Sequence, residues 1–490
     1  MPEADKRSHH AILRSIADRV MLQRGLLPAF QALDLAELEL IEHAVTRTDT
    51  PTRDLRKLCW CSIDHNDTQS LDQLTYAERL PQGEIKVLVA IADVEAMVKK
   101  HTALDAHARH NTCTVYTSVE LYPMLPNKLA NDLTSLSRDQ ERLAVVVDMI
   151  IARDGSIMGS NIYSALVRNW AKLHYNSLAK WLEGETPLPQ VVKMVKGLEA
   201  NLRLQDNVAA KMNSIRHEYG ALDYQTLQAR PVFKKEDLQD LTADAPNRAR
   251  DIVTELMIAA NGVVAKFLGE QGFPSFRRIV KTPKRWDRIR EIAAEHGVIL
   301  PEEPDPKALN HFLQTQRLSH PAKFADLSYT ITKLLGSGEY TVETPGIKSA
   351  VNFGLAVKDY THSTAPNRRY PDLVTQRLIK ASLARHPVPY QNTELEELAK
   401  HCTEIEDTVK KVERQISKSV SAMHLKSRIG EQFEAIVTGA SEKGTWVRIM
   451  HPPVEGKLTD GTKGLDVGHK LRVQLVNTDV ENGFIDFAVV

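Results

Sequence analysis

Residues 61–73 read CSIDHNDTQSLDQ and place three aspartates, Asp64, Asp67 and Asp72, within nine positions. Carboxylates this close repel one another unless they are protonated or a cation neutralises them. Mg2+ and Mn2+ are hard ions that take such oxygen ligands, keep several waters and share substrate phosphate oxygens. Held in that way, they activate a water and stabilise the leaving oxygen of a phosphoryl displacement. The segment also suits a charge-rich polar loop that binds nothing.

Three further stretches carry chemistry. In YTHSTAPNRRYPDL (360–373), Arg368 and Arg369 follow Pro366, and a rigid turn there would offer guanidinium groups to a phosphate. The alternative is a structural pair with Asp372. RHNTCTVYTSVELYPMLPNKLANDLTSL (109–136) sets Tyr116 and Tyr122 among short polar residues. Exposed, such rings stack on single-stranded bases; buried, they anchor a core. FRRIVKTPKRW (276–286) packs five basic residues and two aromatics into eleven positions, which suits a phosphate-tracking groove or a solvated basic face.

These residues need a scaffold, and 490 residues are enough for two to four domains. With 42% hydrophobic and 26% charged residues, the profile is that of a soluble globular protein. Lys plus Arg equals Asp plus Glu at 63 each, so a polyanionic partner would need locally basic surface. The first twenty residues hold no apolar signal core, and no run approaches a membrane span. The expected location is therefore cytoplasmic, with no membrane partner. Four cysteines make no disulfide framework, and Cys59 and Cys61 would share one face of a strand, which favours core packing over zinc.

Apolar spacing over residues 8–48 predicts helices, either a helix-turn-helix module or a cap on the main domain. Alternation of Ile85, Val87, Val89 and Ile91 predicts a half-buried strand. Residues 142–166 read as a hairpin turning at Asp154-Gly155. In 249–268, Ile252, Val253, Leu256, Met257, Ala260, Val263, Val264, Phe267 and Leu268 line one broad face of a long helix, and 394–428 predicts another with a basic C-terminal half. Residues 430–490 return to five short strands with glycine punctuation, the pattern of an OB-type barrel.

In this order along the chain, DLRKLCWCSIDHNDTQSLDQL, VAIADVEAMV, TVYTSVELYPMLPNKLANDLTSL, ELMIAANGVVAKFL, YTHSTAPNRRYPDLVTQRLIKA and VERQISKSV resemble the RNase II/RNase R family over residues 54–428. The resemblance implies an α/β (α+β) RNB catalytic domain over 51–429. A helical module over 1–50 would precede it and an OB-fold RNA-binding domain over 430–490 would follow. It implies processive 3′→5′ hydrolysis of single-stranded RNA to nucleoside 5′-monophosphates, dependent on Mg2+ or Mn2+. A monomer is expected, and no protein partner is inferable.

Carried over by position, the family's four metal-site aspartates fall on Asp64, Ser70, Asp72 and Gln73, so two carboxylates are replaced. Arg368 matches the arginine on the scissile phosphate, with Arg369 beside it as a further RNA contact. Glu413 matches the glutamate that contacts the substrate end, and Tyr116 the tyrosine that clamps terminal bases. Phe273 and Phe276 are both candidates for the stacking phenylalanine, and Trp446 is a candidate RNA contact in the barrel. Ala90 stands where the family usually has histidine, and Ala365 and Asn367 replace serine and isoleucine. The family's two cold-shock-type domains would not fit in the fifty residues before RNB.

The working expectation is a hydrolytic site in which one ion binds well and a second arrives with substrate. Gln73 would offer a carbonyl, Ser70 would hold a metal-bound water, and Asp67 would join if its loop turned inward. One competing class is a silenced RNB fold that binds RNA as a regulator. Another is a DNA binder built on residues 8–48, although no basic recognition helix stands out there.

Overall fold

The computed structural model describes residues 8–46, 51–222, 229–234, 237–243, 247–346, 353, 359–441 and 444–490. A seven-stranded sheet forms the centre. Its order is Thr52–Asp54, Ile157–Arg168, Glu141–Ile151, Ile85–Ala92, Gln73–Arg79, Cys61–Asp64 and Ala171–His174. The two outermost pairings are parallel and the rest antiparallel. The hairpin turns where expected: Asp154 accepts the Ser156 N–H at 2.9 Å and Gly155 takes φ +102°. A Cβ on Gly155 would lie 2.8 Å from the Lys211 Cβ, so glycine is required by space as well as by φ.

Strand Ile85–Ala92 is not half-buried. Leu88 and Ala90 on one face are as buried as Val87 and Val89 on the other, because both faces of this central strand lie within the main core. Helix Arg248–Glu270 is one cover, and Asn247 caps it by accepting the Ala249 and Arg250 N–H groups. By length and composition this helix could cross a bilayer, contrary to the expectation that no run would. Its apolar face lies instead in the protein core, against the sheet. Cys61 is buried and Cys59 partly so, both free thiols.

Helix Asn392–Leu425 is the axle between the sheet body and the barrel. Its Val409, Val412, Ile416 and Val420 pack with barrel residues Phe433, Val447 and Phe487. The same cluster takes in Leu13, Ile16, Val20 and Met21 of helix His9–Gln23, whose N-cap Ser8 accepts the Ala11 N–H. That helix is therefore a cap. The following helix, Ala32–Leu40, has the sequence ALDLAELEL, without lysine or arginine, and cannot track phosphates as a recognition helix. The C-terminal strands Gln432–Ser441, Gly444–Ile449, Val454–Asp460, Phe484–Val489 and Lys470–Asp479 close into a five-stranded barrel in that order, as the sequence predicts.

Candidate active site

Asp64 ends strand Cys61–Asp64 and Asp72 precedes Gln73–Arg79, the strand paired beside it. The intervening loop thus returns both carboxylates to one end of the sheet. The loop is pinned by backbone bonds from Ala92 to the Asp72 carbonyl and from Leu136 to the Leu71 carbonyl, and by Ser135 Oγ accepting the Leu71 N–H. Opposite them, the turn before helix Tyr370–Leu383 is fixed by the Arg368 and Arg369 N–H groups on the Ala365 carbonyl. Buried Asp372 accepts the Ala365 N–H at 2.8 Å.

That turn sends its two arginines in different directions. Arg368 Nε donates to Asp72 Oδ2 at 2.7 Å while 40% of its side chain stays exposed. Arg369 turns back to Asp372 at 2.7 Å and to Thr364. Arg369 is thus the structural pair, and its expected RNA contact is not supported, because its guanidinium locks the turn that aims Arg368.

Burial, then the neighbouring Asp72 charge, pushes Asp64 up to about 7, against the pull of Arg368 and Lys172. Burial also raises Asp72, although Arg368 opposes it. Asp72 is 3% exposed, and its Oδ1 is buried with no hydrogen-bond partner. An under-neutralised carboxylate pair with an orphaned buried oxygen is the environment a hard divalent cation would satisfy, so the residues present fit Mg2+ or Mn2+.

The other predicted ligands are corrected by the geometry. Asp67 is exposed to solvent and does not join the pair. Gln73 turns its amide nitrogen, not its carbonyl, to Asp64 Oδ2 at 3.3 Å. Ser70 Oγ accepts from Asn367 Nδ2 at 3.4 Å, and the Thr134 hydroxyl lies 2.9 Å from Asn367 Oδ1. Asn367 is a site residue that sequence reasoning registered only as a departure from the family pattern. Its neighbour Arg368 was the signal.

Tyr116 and Glu413 do come together with Arg368. Glu413 accepts the Tyr116 N–H at 3.0 Å and so holds the strand that presents the ring. Tyr116 is 49% exposed, with its phenol in the field of the Arg368 guanidinium. Burial raises the Glu413 carboxyl. Tyr122, by contrast, is buried and donates to Asp18.

Among the stacking candidates, Phe276 is excluded: it is fully buried against Tyr340. Phe273 is partly buried at the end of helix Arg248–Glu270, packed on the main core. The basic stretch around Phe276 is no phosphate groove, because Arg277 pairs with Glu343, Arg278 with Glu406 and Arg285 with Asp466. Trp446 is half-buried on strand Gly444–Ile449, its ring over Gly439, on the same strand face as Arg448.

Basic surface is found instead in a cleft of about 410 Å³ between the barrel, helix Pro321–Leu335 and the C-terminal half of Asn392–Leu425. Tyr116 and Glu413 stand in its wall, with Lys333, Lys410, Arg414, Lys418 and Arg448. Glu455 anchors the barrel side, accepting from Tyr329 at 3.1 Å and from Thr438 at 3.0 Å. Lys333 and Lys418 approach Glu455 at 3.5 and 3.7 Å and Lys410 pairs with Glu406 at 2.7 Å, so the lining keeps a modest positive excess, which suits a polyanion.

Residues 52–385 match the family model of the RNB domain, and residues 431–490 that of the RNase II-type exonuclease C-terminal S1 domain. Ribonuclease R of Aquifex aeolicus is 27% identical over 507 residues, covering 97% of this chain and 70% of that protein. Ribonuclease R of Escherichia coli is 29% identical over 420 residues, covering 82% of this chain and 50% of that protein. The chain thus spans about half the length of the Escherichia coli relative. The structure of Mycoplasma genitalium RNase R with ribose methylated single-stranded RNA superimposes with a TM-score of 0.86 at 20% identity, over 98% of this chain and 78% of that one. Yeast Ssd1, a pseudonuclease, shares the fold with a TM-score of 0.71 at 15% identity, over 91% and 55%. With the RNB model matched over more than half its length, this chain is a member of the RNB family.

Proposed function

We propose that this chain is a 3′→5′ exoribonuclease that hydrolyses single-stranded RNA to nucleoside 5′-monophosphates with the help of a divalent metal ion. One observation carries the proposal: Asp72, close enough to Asp64 for their charges to interact, gives one oxygen to Arg368 and keeps the other buried and unpartnered. Mg2+ or Mn2+ held by Asp64 and Asp72 would supply Lewis-acid activation of an attacking water. Arg368, oriented through its Nε, keeps the rest of its guanidinium for the scissile phosphate. Tyr116 offers a ring face to a base near the RNA end, and Glu413 keeps that ring in place. The cleft cations draw the strand in and leave its bases unread, which suits sequence-independent degradation.

The likeness in fold to a pseudonuclease, together with the two replaced aspartates, favours one alternative, an RNA-binding protein that has lost hydrolysis. Asp72→Asn separates the two. On the proposed function it abolishes RNA turnover while binding persists. If the wild-type chain binds RNA without turnover under metal, the alternative replaces it.

A further inference from the structure

We infer that the carboxylate pair holds one divalent ion, and that Gln73 and Arg368 occupy as fixed donors the flanks a second ion would need. The ligand's identity rests on the exoribonuclease reading; the count rests on the geometry. Two carboxylates offer four oxygens. Asp72 Oδ2 is taken by Arg368 at 2.7 Å, and Asp64 Oδ2 by the Gln73 amide at 3.3 Å. One oxygen of each remains, and of these Asp72 Oδ1 is buried without a partner. A single hard cation bridging that pair satisfies both, with water and phosphate oxygens completing its shell.

Nothing nearby would neutralise a second ion. Among the described residues, no group of three or more His, Cys, Asp and Glu side chains is placed to bind a metal. Ser70 is tied into a neutral chain with Asn367, which is 1% exposed, and Thr134. With Arg368 paired to Asp72, the two carboxylates leave one net negative charge toward a first dication, and a second would stand wholly uncompensated. Gln73 and Asn367 are therefore positioning residues. The first holds Asp64 in place of a metal, and the second ties the loop of Asp72 to the turn of Arg368.

The test is equilibrium dialysis of the full chain against Mn2+ with metal analysis, alone and with saturating nucleoside 5′-monophosphate. One Mn2+ per chain is expected in both conditions, rising to two in the double variant Ser70→Asp, Gln73→Asp. Two ions on the wild-type chain, or none, overturn the inference whether or not the variant folds. RNA hydrolysis assayed in parallel keeps the two claims apart. Two ions with degraded RNA sink the count and spare the exoribonuclease; one ion with intact RNA does the reverse.

Discussion

Arg368 Nε sits 2.7 Å from Asp72 Oδ2, joining the turn before helix Tyr370–Leu383 to the head of strand Gln73–Arg79. This bond aims the guanidinium and leaves the second oxygen of Asp72 for a cation. Arg368→Lys keeps a charge but loses the planar fork, so it fits the pair and a phosphate less well. A drop in RNA turnover of about 100-fold or more is expected, the scale for losing one preorganised donor. Single-turnover hydrolysis beside a circular dichroism melt checks it, and near-wild-type turnover would remove Arg368 from the chemistry.

Asp64 makes the protein's stability depend on pH and metal together. Its carboxyl stands at about 7 rather than the ordinary 3.8. The folded chain thus holds a proton that the unfolded chain releases. This contribution is complete below pH 3.8 and is lost as pH rises to about 7. A metal ion takes the proton's place, so Mg2+ or Mn2+ should raise the melting temperature more at about pH 8 than at about pH 5. Asp64→Asn should flatten that difference; equal metal shifts at both pH values in the wild type would contradict it.

Phe276 and Tyr116 should separate stability from binding. Phe276 is fully buried, and Phe276→Ala should cost about 3–5 kcal/mol of stability by leaving a cavity. Tyr116 is half exposed, and Tyr116→Ala should remove about 1–3 kcal/mol of stacking on a base while hardly moving the denaturation midpoint. Urea melts and RNA titrations on both variants decide it.

The cleft predicts salt-dependent binding. Lys418→Ala and Arg448→Ala should each weaken single-stranded RNA binding and lower the slope of log affinity against log salt by about 0.7 per lost phosphate contact. Lys281→Ala is the control, since Lys281 pairs with Glu339 outside the cleft. An unchanged slope in the cleft variants would move the RNA path elsewhere.

The fold was legible where local pattern and burial agree. The hairpin at Asp154-Gly155, the two long helices and the five-stranded barrel follow from turn chemistry and apolar period. The burial of Ile85–Ala92 on both faces was not, because Leu88 and Ala90 pass for exposed positions until the core closes over them. At the site, the aspartate cluster and the arginine pair stood out in the sequence, and the resemblance singled out Asp64, Asp72 and Arg368. It did not show that Arg369 turns to Asp372, that Gln73 points its nitrogen at Asp64, or that Asn367 reaches Ser70. Side-chain direction depends on partners far away in sequence. The basic run 276–286 misled for the same reason, since composition counts charges but not the acids that meet them.

The most direct measurement is incubation of the purified chain with 5′-labelled single-stranded RNA under Mg2+, under Mn2+ and under chelator. Metal-dependent loss of full-length RNA to a short labelled end product, with release of nucleoside 5′-monophosphates, is the expected result. It would show that the site hydrolyses RNA with Ser70 and Gln73 in place of two aspartates. Intact RNA in every lane, with binding retained, would contradict the proposed function and make Ser70 and Gln73 the marks of a silenced site.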